Sequence, residues 1–367
     1  MDQREADALV AVLGPLLRAY ETLFLVARHF HPPRFDELMA QIGTPDEDLR
    51  SARSTQQDAL ASLGEIRTLL DAAGEAALNA FAGLRRAQEG SGDVINVFRT
   101  FRFVPTGLAA LYPLASALPP VNRFFLDPAL RSDAALQARL IGPPAHDKVG
   151  VMHFAADDSP SSEGERGGFW LYVPEYYSPG RAWPLVMALH GGSGTGRQFL
   201  WSWLRDARSR GAILAAPTSV GSTWALTGED VDTPNLLRVL EFIRSNWTVD
   251  PERLLLTGMS DGGTFAYVSG LESTSPFTHL APVSAAFHPL LAAMIDGTRV
   301  RGLPIHIVHG ALDWMFPAAM AREAKRMLSA AGADVTYREI DDLSHTYPRE
   351  VNAAMLTWLT RERAAIS

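Results

Sequence analysis

A serine bracketed by glycines stands at Gly258-Met259-Ser260-Asp261-Gly262-Gly263, directly after the apolar run Leu254-Leu255-Leu256 and before a helical stretch holding Phe265, Ala266, Tyr267 and Val268. A strand that turns this tightly into a helix has no room for side chains at Gly258 and Gly262. It lifts the Ser260 hydroxyl above the sheet edge, with the first amides of the helix beside it. A serine hydroxyl is a weak nucleophile; it needs a base, and the base needs an orienting carboxylate. His309-Gly310-Ala311-Leu312-Asp313 follows the run Ile305–Val308, and Asp341-Asp342-Leu343-Ser344-His345 follows the run Val335–Ile340. Ser260, Asp313 and His345 thus come from strand ends in the order serine, acid, base, and are the candidate catalytic triad. The plain reading of the first motif alone is a glycine-rich turn with an incidental serine. The two later motifs weigh against it.

Rival side chains fit less well. His279 and His288 precede Asp313 and break the order, so they read as packing or surface histidines. Asp341 and Asp342 are too near His345 in sequence to reach the far side of its ring, and Asp296 is the weaker alternative acid. The turn His190-Gly191-Gly192-Ser193-Gly194 ends the run Leu185–Leu189 and leaves its amides free to face a ligand; the amides of Gly192 and Asp261 are the candidate oxyanion hole. A phosphate cradle is disfavoured there, because no Gly-Lys-Ser/Thr and no G-x-G-x-x-G register with a downstream acid follows. Trp224 and Trp314 lie in loops at strand ends, where ligands bind, and read as walls of an apolar substrate cleft; Phe199 and Trp203 read as core. His29-Phe30-His31 has no partner at ligand spacing, so no metal is expected, and the chemistry needs no cofactor.

These residues must be positioned by something. Short apolar runs at 169–173, 184–189, 212–215, 253–256, 281–284, 305–308 and 335–338 alternate in the later part with helical stretches at about 196–210, 234–247, 261–271, 317–331 and 347–362. That alternation predicts an α/β fold, a mostly parallel sheet with helices on both faces. Before about Ile141 the pattern is helical instead. Leu9, Leu13, Leu16, Tyr20, Leu23 and Ala27 mark one helix face, which Gly14-Pro15 should kink or split. Thr44-Pro45-Asp46-Glu47 reads as a capped start, and the long helix after it carries Leu49 through Leu84 with weak points at Gly64 and Gly74. A helical hairpin is expected, then short Phe- and Pro-rich helices over 93–141. Gly142-Pro143-Pro144 marks the boundary, giving an all-helical domain 1–141 and an α/β domain 142–367, with a polar hairpin tip at Asp157–Gly164.

Composition bounds the partners. The 367 residues hold 33 basic and 41 acidic side chains, net charge −8, which argues against a nucleic-acid binder. Hydrophobic residues at 47% and charged ones at 20% exclude disorder over most of the length. Zero cysteines exclude disulfides, thiolate metal sites and a cysteine nucleophile together. Asp2, Arg4, Glu5 and Asp7 precede the first apolar residues, unlike a secretory signal, and apolar stretches fall short of the ~18 residues that span a bilayer. A cytoplasmic protein without a transmembrane segment is expected.

From about Lys148 to Ser367 the chain resembles the α/β-hydrolase superfamily, in particular its compact esterase branch. That branch holds dienelactone hydrolases, phospholipase/carboxylesterases, and relatives of polyhydroxyalkanoate depolymerases and feruloyl esterases. The resemblance rests on Leu189-His190-Gly191-Gly192, Gly258-Met259-Ser260-Asp261-Gly262-Gly263, His309-Gly310-Ala311-Leu312-Asp313 with Pro317, and Ser344-His345. It implies a serine esterase acting on a small-molecule or polymeric ester through an acyl-enzyme, or, within that chemistry, a thioesterase, polyester depolymerase or serine peptidase. Asp261 departs from the Gln, Ala or Met that relatives often carry after the nucleophile. The helical segment lies outside the resemblance. It is read as a cover over or beside the Ser260 cleft, or as a homodimer seam. A catalytically idle scaffold whose helical half binds a partner is the reading from another class.

Overall fold

The computed structural model describes residues 2–90, 94–141, 144, 146–156, 166–288, 291 and 296–361. The chain divides into two compact units, Met1–Pro143 and Pro144–Ser367. The expected hairpin tip at 157–164 and the Gly142-Pro143 step lie outside the described residues.

The first unit is helical: α1 (Gln3–His29), α2 (Phe35–Ile42), α3 (Pro45–Gln56), α4 (Glu65–Glu89), α5 (Val94–Thr100), α6 (Phe103–Leu111), α7 (Pro119–Phe124) and α8 (Ala134–Leu140). Three expectations are corrected here. α1 runs unbroken through Pro15. The ring costs one backbone bond, and the buried stripe Leu9, Leu13, Leu16, Tyr20 and Leu23 on both sides of it holds the helix together. The capping box forms at Asp2 and Glu5, whose side chains each accept the other's amide at 2.8 and 2.7 Å. Thr44 makes no side-chain cap; Pro45 at the first turn presets the helical φ and leaves one fewer amide to satisfy. The long helix after residue 45 is two helices: α3 ends at Gln56, a short 3-10 turn follows at Ala61–Leu63, and Gly64 at φ 53° closes that turn and starts α4. Gly74, the other weak point, stays helical; a β-carbon there would lie 2.8 Å from Arg53 Nε, so the glycine admits the arginine.

Tyr20 Oη donates to the Ala73 carbonyl at 2.7 Å and binds α1 to α4. α1 is long and apolar enough to cross a membrane by length and composition, contrary to the sequence expectation; 44% of its most apolar window is buried within the protein.

The second unit carries an eight-stranded sheet: β1 (Gly150–Phe154), β2 (Phe169–Val173), β3 (Trp183–Leu189), β4 (Ile213–Pro217), β5 (Val249–Met259), β6 (His279–Val283), β7 (Pro304–Gly310) and β8 (Asp334–Ile340), in the order β1-β2-β4-β3-β5-β6-β7-β8. β2 pairs antiparallel with β1 and β4; every other pairing is parallel. The helices are α9 (Gly196–Arg210), α10 (Asp232–Asn246), α11 (Asp261–Gly270), α12 (Gly297–Val300), α13 (Ala318–Ala330) and α14 (Asn352–Leu359). From β3 the chain moves one way through α9 to β4. From β4 onward it moves the other way, through α10 to β5 and α11 to β6. Right-handed crossovers therefore place α9 on one face and α10, α11 and α13 on the other. α14 packs on α9, so both faces are covered. The core lies between, built from Leu185, Met187, Leu189, Leu254, Leu256 and Ile305 with Trp183 and Phe265.

This topology fixes where a site can form. Leu189 of β3 and Pro282 of β6 both register with Gly258 of β5, so the loops after β3 and β5 emerge side by side. They leave in opposite directions, and the crevice between them is where ligands bind in such sheets.

Candidate active site

Ser260 occupies the turn between β5 and α11 at φ 56°, a conformation that non-glycine residues rarely adopt. Its backbone is held from both sides: its amide donates to Val283 O at 3.0 Å, and its carbonyl accepts the Thr264 amide at 2.8 Å. The glycines explain the tightness. A β-carbon on Gly258 would lie 2.5 Å from the Gly262 carbonyl, and one on Gly262 would overlap His190 O.

Asp313 lies in the loop after β7 and His345 in the loop after β8. Those loops are bound together: Ala311 N donates to Ile340 O and Leu312 N to Leu343 O, both at 2.9 Å. A β-carbon on Gly310 would overlap Leu343 O, so this close approach needs the glycine. His345 Nδ1 stands 3.0 and 2.9 Å from the two Asp313 oxygens, and its Nε2 is 3.0 Å from Ser260 Oγ. A carboxylate only accepts, so Nδ1 carries the proton and Nε2 accepts from the serine hydroxyl. All three side chains are nearly buried, at 7% exposure for Ser260, 7% for Asp313 and 4% for His345.

Burial acts to raise the Asp313 pKa, but the hydrogen bond from His345 and its electrostatic attraction, with the Phe316 amide and His309, outweigh it. Its carboxyl is held below the usual range and stays ionised. Asp313 Oδ1 also accepts the Met315 and Phe316 amides at 3.0 and 2.8 Å. His309 is fully buried. Its Nε2 donates to Phe316 O at 2.8 Å and sits 3.4 Å from Asp313 Oδ2. The sequence shows this histidine only as the first residue of a His-Gly step after a strand.

The rival groups are placed elsewhere. Asp296 caps α12, accepting the Thr298 amide at 2.8 Å. His279 is buried edge-on to Trp358, with 4.7 Å between ring centroids, and His288 is exposed.

The glycine loop after β3 abuts Ser260: a β-carbon on Gly191 would meet Ser260 Cβ at 3.6 Å. Ser193 takes φ 57° within it. The amide of Asp261, in the first turn of α11, has no intrahelical partner, so it is available to a ligand. The His190 ring pins the loop. Ser219 N donates to its Nε2 at 3.1 Å, which leaves the Nδ1 proton to be donated to Gly191 O at 2.6 Å. Burial pushes the His190 pKa down to about 4 and keeps the ring neutral.

The two tryptophans separate. Trp224 is 2% exposed; its indole N–H donates to His190 O at 2.7 Å and its ring stacks on Phe265 at 5.4 Å. It props the glycine loop from beneath and does not line an open cleft, which corrects the sequence reading. The loop after β4 folds inward because buried Asp232 accepts the Val220 and Ala225 amides at 2.7 and 2.8 Å. Trp314 is 42% exposed, its ring 6.3 Å from that of His345.

Residues 230–361 match the family model described as Phospholipase/Carboxylesterase. That span holds Ser260, Asp261, Asp313 and His345, and leaves the glycine loop outside. A bifunctional acetylxylan esterase/xylanase of Neocallimastix patriciarum is 28% identical over 163 residues, 43% of this chain and 23% of its own length. Acyl-protein thioesterase 1 of Gibberella zeae is 27% identical over 106 residues, 28% of this chain and 45% of its own. The chain thus spans less than half the length of these curated relatives. Among solved structures, a ferulic acid esterase superposes with a TM-score of 0.47 at 17% identity, covering 57% of this chain and 97% of that one.

Proposed function

We propose that the second unit, an α/β-hydrolase of the esterase type, is a serine hydrolase of carboxylic esters. The observation that carries this reading is the continuous relay from Asp313 through His345 to Ser260, with 2.9 and 3.0 Å at its two links. The proton on Nδ1 faces a carboxylate and the lone pair on Nε2 faces the hydroxyl, which is the state a general base must hold before reaction. Ser260 Oγ attacks the ester carbonyl as His345 takes its proton. Asp313, kept ionised, stabilises the imidazolium that forms. The amides of Gly192 and Asp261 receive the developing oxyanion, the Asp261 amide reinforced by the N-terminus of α11. His345 then returns the proton to the departing alcohol, and water repeats the cycle on the acyl-enzyme.

Trp314 offers an apolar wall beside His345, against which a substrate chain can lie. Thioesters are cleaved by the same steps, and one of the relatives is named a thioesterase. The test is covalent labelling with a fluorophosphonate probe. Ser260-dependent labelling, lost in Ser260→Ala and His345→Ala, is the expected result; labelling that survives Ser260→Ala overturns the assignment.

A further inference from the structure

Asp261 lends its amide to the oxyanion hole, and its side chain has no part in that chemistry. The carboxylate nevertheless stands at the site. It is half-buried, its Oδ2 accepts from Thr223 Oγ1 at 2.6 Å, and a β-carbon on Gly192 would lie 2.9 Å from that same oxygen. Gly192 is itself exposed, and a β-carbon on Gly191 next to it would come within van der Waals range of Ser260. Carboxylate, glycine loop and Ser260 are therefore contiguous. Thr223 is a neutral donor, and among the described residues no cation pairs with Asp261. The N-terminus of α11 makes the charge tolerable to the fold without cancelling it.

A fixed negative charge at the rim of an oxyanion hole acts on whatever charge a substrate brings. A second anion placed within several Å of it is repelled, whereas a neutral or cationic group is not; part-burial weakens the screening that water would supply. Resting on the hydrolase reading above, we propose that the Asp261 carboxylate determines specificity at this site. It makes the enzyme selective for neutral and cationic esters and excludes esters that carry an anionic group beside the scissile carbonyl. Thr223 holds the carboxylate in place, with Gly192 leaving it the space.

A charge series of p-nitrophenyl esters tests this: butyrate, hemisuccinate and 4-(trimethylammonio)butyrate, compared by kcat/KM in the parent, Asp261→Asn and Thr223→Val. In the parent at low salt the neutral and cationic esters should exceed the anionic one by roughly tenfold or more, and 0.5 M sodium chloride should shrink that ratio. Asp261→Asn should remove most of the discrimination, while Thr223→Val, which keeps the charge, should retain it. A neutral-to-anionic ratio unchanged by Asp261→Asn overturns the proposal. So does a parent ratio that ignores salt, a readout that needs no variant to fold. If parent and Ser260→Ala turn over butyrate equally, the hydrolase reading itself has failed, which is a different result from hydrolysis without charge selection.

Discussion

Before any substrate arrives, Asp313 and His345 have settled which nitrogen holds the proton, and each variant of the pair should show it. Ser260→Ala or His345→Ala should lower kcat by about 10³ or more. Asp313→Asn should lose a similar or somewhat smaller factor, because an amide N–H facing Nδ1 favours the tautomer that cannot accept from Ser260. Steady-state hydrolysis of a p-nitrophenyl ester measures this, with circular dichroism to check folding. Full activity in Asp313→Asn alongside loss in Asp296→Asn would move the acid elsewhere. The second residue-scale expectation concerns His190. Its folded pKa of about 4 lies below the ~6.5 of an unfolded chain. Between those values the unfolded state binds the extra proton, so stability rises with pH across that window and falls on acidification from ~6.5 towards 4. The loss attributable to this one ring is on the order of 2–3 kcal/mol. Urea midpoints at pH 7 and pH 4.5 should therefore differ more for the parent than for His190→Gln; equal differences would remove the histidine from the account.

Strand ends and loops decide which residues the sequence disclosed. Ser260, Asp313, His345 and the glycine loop were legible as candidates because each stands within a few residues of the end of an apolar run, and a parallel sheet collects its strand ends along one edge. β1 escaped notice: Gly150–Phe154 is short and only partly buried, so neither a continuous apolar run nor a clean alternation marks it. The break at Gly64 was visible as a weak point, whereas the passage of α1 through Pro15 was not, since tertiary burial decided it. Trp224 shows the same limit. Its place after a strand is readable, but the Asp232 contacts that turn its loop inward join residues whose meeting the local pattern does not reveal. The consequence is measurable. Trp224→Ala should cost about 3–5 kcal/mol in urea denaturation, as a fully packed aromatic does. Trp314→Ala, half in solvent, should cost under about 1 kcal/mol while raising KM for long-chain esters. Reversal of that order would return Trp224 to the cleft wall.

At the scale of the whole molecule, Met1–Pro143 and Pro144–Ser367 each close a core of their own, and the match to the Phospholipase/Carboxylesterase family model lies within the second. Residues 144–367 expressed alone should therefore unfold cooperatively and keep Ser260-dependent labelling; an aggregated or unlabelled product would show that this unit does not stand by itself. The last strand of that unit has a further consequence. β8 ends the strand order, so one row of its backbone groups has no neighbouring strand in the sheet. Such a row is a template for pairing with another chain. Asp334, Thr336 and Arg338 are exposed along β8, and Glu339 is ion-paired to Arg322. A strand arriving from a neighbouring molecule would have to desolvate that charged fringe, a cost that opposes edge-to-edge pairing of two such sheets.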